Sequence, residues 1–424
     1  MSMTKFILLG EIKMQKEIEK SIKKRNEVSR NYYYRSIGEL LKQKRLEFKM
    51  SQQEMSSKIC SDTYLCKVET HQLVPNMEQL NLLMERALIP AGEISFPEEQ
   101  MDYLEKSIYL FFWKDVHEYK KLFDDIDKYQ FSALLQVVKL GYYILEKDKE
   151  NARLVYVELH KYLNSLEDIG FSIFMMYGCF YNIMIENFST SKCILDQIDR
   201  IIIKDELSYS LVNLAKFITY GNLELGFSTI EPSNIALNVF VKHSNIKRIV
   251  EHNYWRQIFL IHDGVGEQDY FEQSIAPYLD DDEYNYYYLL ASMEQDKPIE
   301  YIDKIRNNGR FYLLGLFYKA KFYLENSEID NYKEVFSLIE SLHYEMKSKI
   351  DYCHILKLIK KNEGMLIKDY YINYLLPEAE NIQNLYLIKR ILYKISDILD
   401  SRNRYKDALV YRVKYDVIKK SLQA

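Results

Sequence analysis

The sequence predicts an all-α chain, a small helical head followed by a long array of paired helices. Three observations carry that reading. Only 13 Gly and 7 Pro interrupt 424 residues, too few for a turn-rich β architecture. From about residue 99 onward, apolar residues recur at helical spacing between short polar loops. The segments also resemble one another, as stacked hairpins do.

The length suggests two or more units. Five scattered cysteines (Cys60, Cys66, Cys179, Cys193, Cys353) have neither zinc-ribbon nor CxxC spacing, which points to reduced thiols in a cytoplasmic protein. The opening "MSMTKFILLG" is too short in its apolar run for a signal peptide, and no window has the uncharged length of a bilayer span, so no membrane partner is expected. The 38 tyrosines accompany abundant Lys, Ile and Asn; codon bias in an AT-rich genome explains them better than an aromatic-lined groove. Charge is uneven. Residues 1–75 carry 15 Lys+Arg against 9 Asp+Glu, and the remainder 42 against 53. A basic head on an acidic body suggests that only the head meets a polyanion.

The elements follow in order. Residues 1–35 form a basic leader, expected to be solvated, with Met14 as an alternative start. "SIGELLKQKRLEFKM" is a helix bounded by Ile37, Leu41, Lys44 and Met50. Ser51 and Glu54 then make a capping box, opening a helix "QQEMSSKI" that buries Met55 and Ile59. Cys60-Ser61 is expected as a tight turn, and "DTYLCKVE" as a third helix burying Leu65 and Val68. A fourth starts at Asn76, with Gln79 completing a second box, and closes the core with Leu80, Leu83 and Met84.

Two short helices joined by a tight turn have helix-turn-helix geometry. The amides opening the second helix would meet a phosphate, helped by Gln52. Asp62, Thr63 and Lys67 would face the major groove: Lys67 suits guanine acceptors, Thr63 a thymine methyl, Asp62 a cytosine amine. Arg45, Gln53 and Tyr64 complete the candidate DNA contacts. "IGELLKQKR", "MSQQEM", "YLCKVE" and "LVPNMEQLNLL" resemble the Cro/C1-type (XRE) helix-turn-helix family over residues 36–89, including its Ser-Gln opening, Glu69 and Pro75. The family's turn glycine is missing, which leaves the register of the third helix open by one residue.

Pro90, Gly92 and Pro97 mark a linker at 90–99, and the array occupies 100–424. Val137, Leu140, Gly141 and Ile144 are followed by Ala152, Tyr156 and Leu159; Phe174, Tyr177, Gly178 and Tyr181 by Ser191, Leu195 and Ile198; Leu392, Ile395, Ser396 and Leu399 by Tyr405 and Ala408. A small residue in the first helix lets the pair approach closely, and alanine in the second seats the next pair. These positions resemble tetratricopeptide (TPR) repeats, though Arg412 replaces a usual aromatic and repeats between 221 and 380 are degenerate. The resemblance implies a right-handed superhelix with a concave face for an extended peptide.

No HExxH, GxSxG or GxxxxGK[ST] is present, so no enzyme and no cofactor are expected. Gly264-x-Gly266 reads as an inter-helix turn. The run Asp280, Asp281, Asp282, Glu283 reads as a solvated helix start rather than a metal site, and His252 and His262 as structural.

An XRE-like head on a TPR-like array resembles the RRNPP group of peptide-pheromone-responsive regulators. That resemblance implies a cytoplasmic homodimer whose two heads grip a two-fold operator in double-stranded DNA, with a short signalling peptide in the array altering their spacing. It also implies that asparagines grip the peptide backbone. Asn182, Asn213 and Asn253 are the candidates, with Tyr181, Phe217, Tyr254 and Trp255 nearby and Arg256 for a carboxylate. Two alternatives stay open: an array that sequesters a regulatory protein beneath a vestigial head, and a repressor whose array only dimerises.

Overall fold

The computed structural model describes residues 32–346 and 371–423, apart from 71, 74, 90–96, 130–131, 164–165, 167, 199–204, 263–267, 295–297, 327, 383–384 and 402–403. The leader up to residue 31, the linker at 90–96, the Gly264-x-Gly266 turn and Cys353 lie outside the described residues. Among the described residues the chain is all-α. It divides into two compact units, one of residues 1–220 with 225–248, the other of 221–224 with 249–424.

The head begins the first unit: α1 (Tyr32–Glu47), α2 (Gln52–Ser56), α3 (Asp62–Glu69) and α4 (Met77–Arg86). Ile37, Leu40, Leu41, Met55, Leu65, Val68, Leu80 and Leu83 are buried together in its core. The capping box forms as expected, with Ser51 Oγ accepting from the Glu54 amide and Glu54 from the Ser51 amide. Three expectations change. α2 stops at Ser56, because Lys58 turns left-handed (φ +62°) and the chain bends over Ser57–Cys60. Lys58 thus performs the turn that a glycine would make, and Ser61 becomes the N-cap of α3, which fixes its register. Asn76 caps α4 through the Glu78 amide rather than in a box with Gln79.

The first helix after the head begins at Pro97. The array's hairpins in the first unit are α5 (Pro97–Trp113), α6 (Val116–Ile126), α7 (Ala133–Leu145), α8 (Lys149–Leu159), α9 (Asp168–Met184), α10 (Phe188–Ile198), α11 (Glu206–Asn222) and α12 (Gly226–Lys242). The small residues act as notches for aromatic rings. A Cβ on Gly141 would stand 2.7 Å from the Tyr177 ring, and one on Gly178 3.0 Å from Tyr156. Tyrosines fill these seams and bond their hydroxyls inward: Tyr119 donates to the Val138 carbonyl (2.9 Å), and Tyr177 meets Ser107 Oγ (3.1 Å). A 3-10 turn after α8 holds His160 edge-on to Tyr156 and Phe174. Both its ring nitrogens are buried without a hydrogen bond, and this burial lowers its pKa to about 4.

Among the described residues the most deeply buried cation is Arg248, near the start of α13 (Ile246–His262). It is 1% exposed, donates to the Phe111 and Phe112 carbonyls, and lies over the Phe111 and Phe180 rings. Asn245 Nδ2 donates to the same Phe112 carbonyl (2.7 Å). Together they cap the C-terminus of α5 across more than 130 residues, where orphan carbonyls and the helix dipole both favour a cation.

The second unit contains most of α13, then α14 (Gln268–Ser274), α15 (Asp281–Glu294), α16 (Pro298–Ile302), α17 (Tyr312–Glu325), α18 (Ile329–Met346), α19 (Leu376–Ile382), α20 (Leu385–Asp400) and α21 (Tyr405–Gln423). The last pair is built as read, with Leu392, Ile395, Ser396, Leu399 and Ala408 buried, but Tyr405 is 63% exposed. The acidic run is more than a solvated start. Asp280 caps α15 through the Glu283 amide, while Asp281 pairs with Arg306 and Asp282 with Arg310.

Helices end in a shared way. After α1, α4, α5, α7, α9, α11 and α12, a non-glycine residue with positive φ closes paired bonds back onto the last turn, as where Lys147 donates to Ile144 and Asp148 to Tyr143.

Candidate nucleic-acid and peptide sites

In the head, the candidate contacts separate into two groups. Arg45 is 9% exposed and forks onto Glu69 at 2.7 and 2.9 Å, with a third bond to the Met50 carbonyl. Hydrogen bonding to Glu69 raises the Arg45 pKa further. Gln52 also donates to Glu69 (2.8 Å). Tyr64 accepts the Asn76 amide (2.7 Å), tying α3 to the start of α4. Arg45 and Tyr64 are thus held in the head's own hydrogen-bond framework, and the Gln52 amide is partly committed. The buried Arg45–Glu69 fork was missed because a basic residue at a helix end reads as surface.

The second group remains at the surface. Gln53, Asp62, Thr63 and Lys67 are exposed, the last three on α3. Asp62 Oδ1 accepts the Thr63 amide (2.7 Å), which orients its carboxylate at the helix start. Across residues 32–89 there are eight Lys+Arg and seven Asp+Glu, so the basic excess of the N-terminal region sits mainly in the leader. The head also neighbours the array: Tyr162, after α8, is pushed up to about 12 by burial first and then by Glu158, Glu39 and Glu47.

The peptide candidates fall in both units. Asn182 is buried and donates to the Gly178 carbonyl (2.7 Å) and to Tyr156 Oη (3.5 Å); Asn213 is buried and donates to the Tyr209 carbonyl (2.8 Å). Each spends its amide on its own helix one turn back. Tyr181 and Phe217 are buried beside them in the first unit. In the second unit Tyr254 is buried and donates to the Glu283 carbonyl, Asn253 is half-buried and donates to Tyr270 Oη (3.0 Å), Trp255 is half-buried, and Arg256 is exposed. A cleft of 410 Å³ in that unit is lined by Glu272, Ala276, Pro277, Tyr284, Lys304 and Arg306. Glu272 accepts from Tyr288 (2.9 Å) and Gln268 and pairs with Lys304, and Arg306 stacks 3.7 Å over Tyr284. Sequence reading missed this cleft because its residues run from Glu272 to Arg306 over two helices, a 3-10 turn and a loop. His252 is buried beside Asn253, as a structural residue is.

No family model matches the chain, and no curated protein matches it in sequence. Among solved structures, it is similar to a Rap protein complexed with competence and sporulation factor (12% identity, TM-score 0.57, 77% of this chain and 99% of that one). It is also similar to the apo form of the quorum sensor NprR from B. thuringiensis (12% identity, TM-score 0.51, 76% of this chain and 99% of that one). At that identity the likeness is one of fold: the chain is an all-α, TPR-like array of helical hairpins.

Proposed function

We propose that the chain is a peptide-responsive transcription regulator of the RRNPP kind, acting as a homodimer on double-stranded DNA. The observation that carries the DNA half is the exposed Asp62–Thr63–Lys67 face of α3, on a head whose Arg45, Glu69 and Tyr64 are bonded internally. The peptide half is supported by the fold shared with a Rap protein solved with a bound factor. Arg256 is exposed and can take a peptide carboxylate, while Asn182, Asn213 and Asn253 each already bond through the amide within the fold, and Asn213 and Asn253 keep a second N–H for a peptide backbone. Tyr162, beside Glu39 and Glu47, gives the array a physical route to the head.

Fluorescence anisotropy on the chain's own upstream DNA, titrated with salt, tests the first half. Preference over scrambled DNA that Lys67→Ala weakens supports it; equal, salt-abolished binding to both DNAs removes it. The near-neutral head favours a second reading, in which the array captures a regulatory protein and the head is vestigial. In that case DNA preference is absent while a protein partner still binds.

A further inference from the structure

We infer that the cleft between α14, α15 and the loop after α16 binds a free α-amino acid with an apolar side chain, a ligand additional to the peptide and DNA of the proposed function. Its 410 Å³ falls within the range of small-molecule sites, about 300–1,000 Å³. The loop that forms one wall is firmly built. Asn285, fully buried on α15, accepts the Arg306 amide (2.8 Å) and donates to the Arg306 carbonyl (3.0 Å). Asp282 accepts the Arg310 amide (2.7 Å), and Gly309 makes the return between them at φ +82°. Lys304 and Arg306 are thereby held two residues apart on the cleft wall.

The wall offers both signs of charge at close quarters. Glu272 Oε1 gathers three donors, Gln268 and Tyr288 at 2.9 Å each and Lys304. Among the described residues no donor reaches its Oε2, and the side chain is 37% exposed. The same donors, Gln268 first and Lys304 next, hold the carboxyl below its usual range, so it is anionic at neutral pH. The cations keep donors free as well. Arg306 lies 3.7 Å over the Tyr284 ring and gives Nη1 to Asp281 (3.0 Å), which leaves Nε and Nη2 unbonded among the described residues. Lys304 spends one of its three N–H groups on Glu272. A lone anion would be repelled by Glu272 and a lone cation by Lys304 and Arg306, whereas a zwitterion satisfies both. The ligand's ammonium donates to Glu272 Oε2, and its carboxylate accepts from Lys304 and Arg306. Its side chain covers Ala276, Pro277 and the Tyr284 ring, the apolar part of the lining.

Isothermal titration calorimetry of the full chain tests this with three probes: L-leucine, 4-methylpentanoate, which lacks the ammonium, and 3-methylbutylamine, which lacks the carboxylate. L-Leucine is expected to bind at least about tenfold more tightly than either. Glu272→Gln, which keeps an acceptor for Tyr288 and Lys304, and separately Arg306→Gln should each weaken leucine at least about tenfold, with helix content unchanged by circular dichroism. Absence of leucine binding at millimolar concentration overturns the inference, as does equal binding of the acid or the amine. Leucine binding that both folded variants retain places the ligand elsewhere and also overturns it. The three wild-type titrations decide the matter even if a variant fails to fold. Neither peptide nor DNA enters them, so their outcome is separate from that of the proposed function.

Discussion

The head and the array solve the problem of buried polarity in opposite ways. The head carries one buried ion pair at its centre, Arg45 on Glu69, and hangs Gln52 and the Met50 carbonyl from it. The first array unit buries single polar groups against backbone: Arg248 on helix-end carbonyls, Asn182 and Asn213 on their own helices, Tyr119 on Val138. A paired charge concentrates stability in one contact, so one change undoes it; distributed backbone pins spread the loss.

The sharpest way to break that comparison is Glu69→Ala. It leaves the Arg45 guanidinium buried and unpaired, at about 3–5 kcal/mol. Calorimetry should show the head melting early while the array's transition stays in place; a uniform shift of the whole trace would mean that head and array fold as one. The next test concerns an array side chain with no hydrogen-bonding pin. His160 is neutral in the fold, with its pKa held at about 4 by burial, whereas the unfolded chain takes up the proton near 6.5. Its contribution is intact above pH 6.5 and lost as pH falls toward 4, by roughly 3 kcal/mol at most. His160→Phe, which keeps the ring against Tyr156 and Phe174, should flatten urea-melt stability over that window. Gly141→Ala is smaller, about 1–3 kcal/mol, because the Tyr119 and Tyr177 rings must give way to the new methyl. The smallest effect on stability, within about 0.5 kcal/mol, is expected for exposed Lys67→Ala, whose consequence should appear in DNA affinity alone.

The same contrast explains what the sequence disclosed. Helix starts were legible because their signals are local: Ser51 with Glu54 and Asn76 before α4 each act within three residues. The glycine notches were legible too, since Gly141 and Gly178 recur at one place in successive hairpins. Helix ends were not, because the usual stop signal, glycine, is absent there; α2 ran on in the reading past Lys58, which makes the turn. Arg45 and Arg248 were opaque for a different reason. Their partners lie 24 and more than 130 residues away, and nothing in a run of charges distinguishes a solvated cation from one that a fold will enclose. The surface face of α3 was readable as a pattern, whereas the asparagines were readable only as residue types: Asn182 and Asn213 bond one turn back on their own helices, and Asn253 bonds to Tyr270.

The left-handed helix ends carry one more consequence. Among the described residues, eight positions, Lys49, Lys58, Leu88, Lys114, Lys147, Glu186, Glu224 and Ser244, hold a side chain where backbone sterics favour none, at about 1 kcal/mol each. Four are lysines, whose charge beside the helix carboxyl end returns part of that cost. A codon supply poor in guanine and cytosine would keep glycine from these corners. The chain therefore carries a thermal reserve that it does not use. That reserve sits in the loops, away from the core and from the recognition face, where heat tolerance could be raised without altering what the molecule reads.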